Sequence, residues 1–253
     1  MRTMSVVGIG AGHPEHITVQ AISTLNAVDV VFMMDKGDAA RELLEFRREI
    51  CKRYITNPSC RIVTAADPER PRGPAASGQA VADWRTRRAE VYEQLIAGEL
   101  GGHGHGAFLA WGDPAMYDGT VDVLRQVLAR ETVSFELRVI PGISSIQALA
   151  AQHKISLTRA GRPLHITTGR LIAQGFPDHA DDVVVMLDAQ CAFSEMDGDL
   201  DIYWGAGLSS AGEALISGRV ADVGQQITAA RAAARSRDGW VMDTYLLRRP
   251  DRR

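Results

Sequence analysis

Residues 5–34, SVVGIGAGHPEHITVQAISTLNAVDVVFMM, decide how the rest of the chain is read. Ser5, Val6, Val7 and Ile9 form a short apolar run that ends among Gly8, Gly10 and Gly12, as a buried strand does when it enters a tight loop. Thr18 is a side chain suited to capping a helix, and Ile22, Leu25 and Val28 then recur at helical spacing. Residues 30–34 are a second apolar run, too short to be anything but a strand. Strand, helix and strand in that order predict a βαβ unit and a parallel sheet.

Working outward, the pattern repeats. A charged helix is expected over 39–54, an irregular Pro-, Gly- and Arg-rich excursion over 57–79, and a helix over 82–100. A strand at 107–111 ends in the turn Gly112-Asp113-Pro114, a helix follows over 120–130, and a strand at 138–140 stops at Pro141-Gly142. Ser144 or Ser145 can cap the next helix through Ile146 and Leu149. Further strands are expected at 164–167, 183–187, 201–204 and 240–247, with a helix over 225–235. The fold class is α/β, with a domain boundary in the stretch 152–163, giving domains 1–155 and 156–253.

Composition excludes several function classes. The 253 residues carry 28 Lys plus Arg against 31 Asp plus Glu, a net charge of −3, which argues against a protein that wraps nucleic-acid phosphates. Of the 28 bases 25 are Arg, the side chain that grips carboxylates bidentately, which admits an acid-rich substrate, although on composition alone a general preference for Arg codons is the better account of the excess. The only lysines are Lys36, Lys52 and Lys154, which leaves Schiff-base chemistry without a motif. Cys51, Cys60 and Cys191 are an odd number without a CxxC pair, so neither a disulfide framework nor a zinc ribbon is written, and a reducing cytoplasm is expected. Apolar runs of five residues cannot span a membrane.

The glycine loop invites a dinucleotide reading that its spacing rejects. It is GxGxG rather than GxGxxG, and His13 to His16 separate it from the helix whose N-terminus would have to meet a pyrophosphate. The glycines serve either a close approach to another ligand or a tight turn. His103 and His105 lack a partnered cysteine or carboxylate, so no metal is expected. The Arg-rich segment 229–237 has no interleaved aromatics and reads as a solvated or interface face.

Three segments together carry a resemblance: Val7-Gly8-Ile9-Gly10-Ala11-Gly12-His13-Pro14 with Ile17-Thr18, Trp111-Gly112-Asp113-Pro114 with Tyr117, and Ile140-Pro141-Gly142-Ile143-Ser144-Ser145. In this order and spacing the chain resembles the tetrapyrrole (uroporphyrinogen and precorrin) methylases. Thr167-Thr168-Gly169-Arg170, residues 184–188, 202–206 and 239–249, and the insertion around Asp67-Pro68-Glu69-Arg70, are similar to the branch that methylates a precorrin with loss of acetate.

The resemblance implies a two-domain α/β methyltransferase with its active site in the inter-domain cleft, an N-terminal substrate side, and a C-terminal domain completing the S-adenosylmethionine site. It implies cofactor contacts from Ala11, Trp111, Gly112, Asp113, Met116, Ser144, Ser145, Met186 and Ala206. Ala11 and His13 depart from the family's usual Pro and Asp, which motivates a non-catalytic carrier as an alternative beside the dinucleotide oxidoreductase. The implied reaction takes precorrin-5, methylates C-1 and releases acetate to give precorrin-6A. Another precorrin methyltransferase of the family is the alternative within it, and a homodimer is the implied assembly.

Acetate release needs a group that activates or orients water. His13, His16, Asp35, Asp113 and Tyr117 are candidates, with Asp113 and Tyr117 preferred for their place on the cofactor loop. Arg70, Arg72 and Arg170 are the expected carboxylate ligands for the substrate.

Overall fold

The first half holds five parallel strands, the expected apolar runs and one more: β1 (Arg2–Gly8), β2 (Val30–Asp35), β3 (Arg61–Ala66), β4 (His105–Ala110) and β5 (Phe135–Ile140). Their order is β3-β2-β4-β1-β5. In this computed structural model the described residues are 1–37, 41–71, 78–238 and 241–250. The chain divides into two compact units, Met1–Ser144 and Ser145–Arg253.

Strand periodicity explains why these segments read as unbroken apolar runs: both faces of the first sheet are covered. Met4, Val6, Val30, Phe32, Met34 and Phe108 pack with Ala89, Tyr92 and Ile96 of α3 (Gly78–Glu99) and Leu124 and Val127 of α4 (Thr120–Ala129). The alternate residues Val7, Val31, Met33, Ala107 and Leu109 pack with Ala21 and Leu25 of α1 (Val19–Ala27) and Leu44, Ile50 and Cys51 of α2 (Arg41–Tyr54). The helices after β1 and β4 therefore lie on opposite faces although the strands are neighbours, which opens a crevice at their carboxyl ends.

Thr18 caps α1 as expected, its Oγ1 accepting from Ala21 N at 3.1 Å. The expected irregular stretch 57–79 contains β3, an edge strand with no buried residue, whose short apolar stretch is interrupted by Thr64 and set among Pro, Gly and Arg; Ile62 is 49% exposed. Residues 72–77, 38–40 and 239–240 of the expected elements lie outside the described residues. All three cysteines are free, and among the described residues no helix is long and apolar enough to cross a membrane.

The second unit begins with α5 (Ser145–His153) and continues through β6 (Leu164–Thr168), the one-turn α6 (Gly169–Ile172), β7 (Asp182–Met186), β8 (Asp201–Ala206), β9 (Ala214–Arg219), α7 (Val220–Asp238) and β10 (Asp243–Arg248). The sheet order is β6-β7-β10-β8-β9, with only β6 and β7 parallel. The division falls at Ser144/Ser145 rather than after residue 155 because α5 packs on β8, β9 and β10. β9, absent from the sequence reading, is again an edge strand.

One ion cluster secures this unit. Asp182 is fully buried and accepts from Arg159 Nε at 3.0 Å through Oδ2 and from Arg248 Nε through Oδ1. Removing the carboxylate charge would leave two guanidinium groups without their buried partner. Asp182→Asn is expected to destabilise the second unit by about 3–5 kcal/mol, read by chemical denaturation.

Candidate active site

Three strand ends of the first unit meet without side chains between them. Parallel register places Gly8 beside Ala110 and Val7 beside Ile140, so the loops after β1, β4 and β5 leave the sheet together. Gly10 and Gly112 form an antiparallel bridge, with Gly112 N donating to Gly10 O at 2.9 Å. A Cβ on Gly142 would lie 2.2 Å from Gly112 O, and one on Gly8 would lie 2.6 Å from Gly142 N. Only glycine lets these backbones come this close.

Asp113 fastens the arrangement. Its Oδ1 accepts from Ala115 N and its Oδ2 from Gly142 N, each at 2.8 Å, which ties the loop after β4 to the loop after β5. Both oxygens of this candidate acid are thus engaged by backbone donors, so its first task is to set loop geometry. Four residues on, Tyr117 is held at φ 53°, in the left-handed region, and is 48% exposed. A bulky residue with positive φ carries backbone strain of the kind that clusters at functional sites.

The remaining loop residues have separate supports. Trp111 stacks obliquely on Phe46 with ring centroids 4.8 Å apart, Ala11 is buried, and Met116 is half-buried. His13, one of the two departures from the family pattern, caps the single 3-10 turn Pro14–His16 by accepting from Glu15 N at 3.1 Å through Nδ1. That turn stands between the glycine loop and α1, as the spacing requires. Asp35 accepts from Gly37 N at 2.8 Å and so shapes its own turn.

In the second unit, Ser145, Met186 and Ala206 converge on one residue that sequence reasoning missed, Thr244. Thr244 pairs with Met186 on one side and with Gly205, next to Ala206, on the other, and its hydroxyl donates to Ser145 Oγ at 3.1 Å. Beneath them, Asp188 Oδ2 accepts from Tyr245 OH and Ala192 N, each at 2.7 Å, and Arg231 Nε donates to Asp243 Oδ2 at 3.0 Å. Burial, then the neighbouring Asp188 carboxylate, pushes the Tyr245 phenol well above its usual range, so it stays a proton donor. Leu187, at φ 55° and 60% exposed, is displayed by this network.

Of the expected substrate arginines, Arg70 is exposed with its guanidinium 5.2 Å from the centre of the Trp84 ring, Arg170 is exposed on α6, and Arg72 lies outside the described residues. A cation group the sequence did not reveal lies at the carboxyl ends of β2 and β4. Lys36, Arg47 and Arg88 line a narrow pocket there with Asp118, Thr120 and Tyr92. They are scattered over a strand end and two helices, so no linear spacing marks them. Among the described residues no cluster of three or more His, Cys, Asp or Glu could hold a metal.

These features are those of a known family. The model of the tetrapyrrole (corrin/porphyrin) methylases matches residues 3–224, and the chain belongs to that family. It is 48% identical over 250 residues, 98% of this chain and 96% of the relative, to a precorrin-6A synthase [deacetylating] from Sinorhizobium sp. Among solved structures, the cobalamin synthesis related protein CobF from Corynebacterium diphtheriae is similar at 33% identity and TM-score 0.86, over 99% of this chain and 100% of that one. A uroporphyrin-III C-methyltransferase from Thermus thermophilus, complexed with S-adenosyl homocysteine, shares the fold at 17% identity and TM-score 0.54, over 97% and 96% of the two chains.

The tie through Asp113 can be measured directly. In Asp113→Asn the amide retains one acceptor and loses the other. Amide exchange at Gly142 is expected to accelerate about 10-fold or more, with about 1–3 kcal/mol lost from the first unit. Unchanged protection of Gly142 would remove Asp113 from this role.

Proposed function

We propose that this chain is a cytoplasmic S-adenosylmethionine-dependent methyltransferase of cobalamin biosynthesis that methylates precorrin-5 at C-1 and releases the extruded two-carbon unit as acetate, giving precorrin-6A. The observation that carries the reading is the glycine contact of Gly8, Gly112 and Gly142 tied by Asp113, together with near full-length similarity to a deacetylating precorrin-6A synthase. Bound S-adenosylmethionine supplies an electrophilic methyl group on its sulfonium sulfur.

The residues present fit such a cofactor. Strand ends stripped of side chains present backbone carbonyls and N–H groups, which suit a sulfonium and an amino-acid tail. Ala11, Trp111, Gly112, Asp113, Met116 and Ser144 of the first unit are its proposed ligands, together with Ser145, Met186 and Ala206 of the second. Trp111, steadied by Phe46, and Met116 supply apolar surface. Thr244 holds Ser145 in place.

Acetate release consumes a water, and its proton leaves with the product acid. Tyr117 is the loop side chain that remains available to orient that water, because it is exposed and follows on the same loop as Asp113, whose oxygens are already engaged. Tyr117→Phe is expected to lower acetate release by about 10²-fold or more while S-adenosylhomocysteine affinity is unchanged.

The reading as a whole is tested by incubation with precorrin-5 and methyl-labelled S-adenosylmethionine, followed by product mass and acetate assay. One methyl gained and one acetate released per turnover is the expected result. A product that gains the methyl and keeps the two-carbon unit would place the chain elsewhere among the precorrin methyltransferases.

A further inference from the structure

The pocket of Lys36, Arg47 and Arg88 lies where ligands of parallel sheets bind, outside the carboxyl ends of two strands whose following helices take opposite faces. Its floor is apolar, with Phe32 and Met34 of β2 and Phe108 and Leu109 of β4. The three cations come from the end of β2, from α2 and from α3.

Their partners leave positive charge over. Arg88 is matched: it is nearly buried, donates through Nε to Asp67 Oδ1 at 2.8 Å, and lies against the Trp84 and Tyr92 rings. Arg47 hydrogen-bonds only neutral acceptors, Nε donating to Leu109 O at 3.0 Å and Nη1 to Leu43 O at 3.1 Å, while Asp118 and Asp67 act on it through space and burial outweighs them. Its Nη2 is the guanidinium edge not used in those bonds. Asp118, the carboxylate that lines the pocket, accepts from Thr120 N at 2.8 Å. No ion pair is found for Lys36 or Arg47 among the described residues. Lys36 retains exposed surface, yet protein surrounds it closely enough that burial, then Arg88 and Arg47, lower its pKa, with Asp67 and Asp118 opposing.

Such a group costs stability unless something anionic joins it. Arg47 and Lys36 line one narrow opening, and a guanidinium Nη2 with an ammonium suits a carboxylate, the first as a directed N–H donor and the lysine as a point charge. We propose that this pocket is a subsite for one carboxylate arm of the tetrapyrrole substrate, with Lys36 and Arg47 as its ligands and Arg88, fixed by Asp67, as the supporting charge. This assignment rests on the methylase reading above and adds to it the place where an acidic arm is anchored. The nearby stack of Arg70 and Arg88 on one Trp84 ring connects the Arg-rich insertion to the same region.

Lys36 is the residue to change, because among the described residues no hydrogen bond depends on its side chain, whereas Arg47 holds α2 to β4. The probes are uroporphyrin III, its octamethyl ester and S-adenosylhomocysteine, titrated against the wild-type chain, Lys36→Gln and Lys36→Arg. Lys36→Gln is expected to weaken uroporphyrin III binding by about 10-fold or more, Lys36→Arg by less than about threefold, with S-adenosylhomocysteine affinity unchanged in both. Because the substitution relieves repulsion with Arg47 and Arg88, the melting temperature of Lys36→Gln should equal or exceed that of the wild type. The octamethyl ester, lacking carboxylates, should bind all three proteins alike.

Equal uroporphyrin III affinity in wild type and Lys36→Gln overturns the subsite and leaves the methylase reading standing. An equal loss for acid and ester overturns it too, since the effect would then be shape and not charge. A wild-type protein that binds S-adenosylhomocysteine and no tetrapyrrole overturns the subsite together with the substrate class proposed above.

Discussion

The close approach of Gly8, Gly112 and Gly142 is the constraint on which the first unit's chemistry depends. Parallel strands β1, β4 and β5 end in step, so their loops must share the same small volume. Any Cβ at Gly142 would overlap Gly112 O, and the carboxylate of Asp113 then fixes the separation by accepting from Gly142 N. A site made this way exposes backbone where other enzymes expose side chains. It is polar, stiff and narrow, which suits a charged cofactor held by peptide groups.

The second unit solves a related problem with buried charge. Its sheet is mixed, and its strand ends at Met186 and Ala206 are organised around Thr244 at the start of β10. Below them, Asp188, Asp243, Arg231, Tyr245 and Trp204 form one hydrogen-bonded group, in which Trp204 Nε1 donates to Asp243 at 3.0 Å. Each polar member has a partner, which is the condition for such a network to rigidify and not weaken a core. The exposed Leu187, held at positive φ, stands on that support.

Charge distribution, not net charge, connects these scaffolds to an acidic ligand. A chain of net charge −3 commits many of its arginines to ion pairs within the protein, as Arg159 and Arg248 do with Asp182. Lys36 and Arg47 stand apart because neither makes an ion pair among the described residues, and with Arg88 they set three cations against the carboxylates of Asp67 and Asp118. Most of the arginine excess therefore says little about ligand binding, and two cations at one crevice say more.

Covered strands were legible in the sequence because burial on both faces forces unbroken apolar runs, as in β2 and β7, and α1 announced itself through Thr18 and the spacing of Leu25. The edge strands β3 and β9 were not, since half of each faces water and no apolar run is needed there. The loop motifs, and with them the family, could be read because the glycine contacts demand residues at fixed places in the chain. Sequence by itself thus determined the α/β class, the glycine loops and the family. Only the tertiary structure decided that α5 belongs with the second sheet, that Asp113 is a tie between loops, and that Lys36, Arg47 and Arg88 share a pocket. Those three facts join residues from different strands and helices, and such contacts are set by how elements pack, which no local spacing encodes.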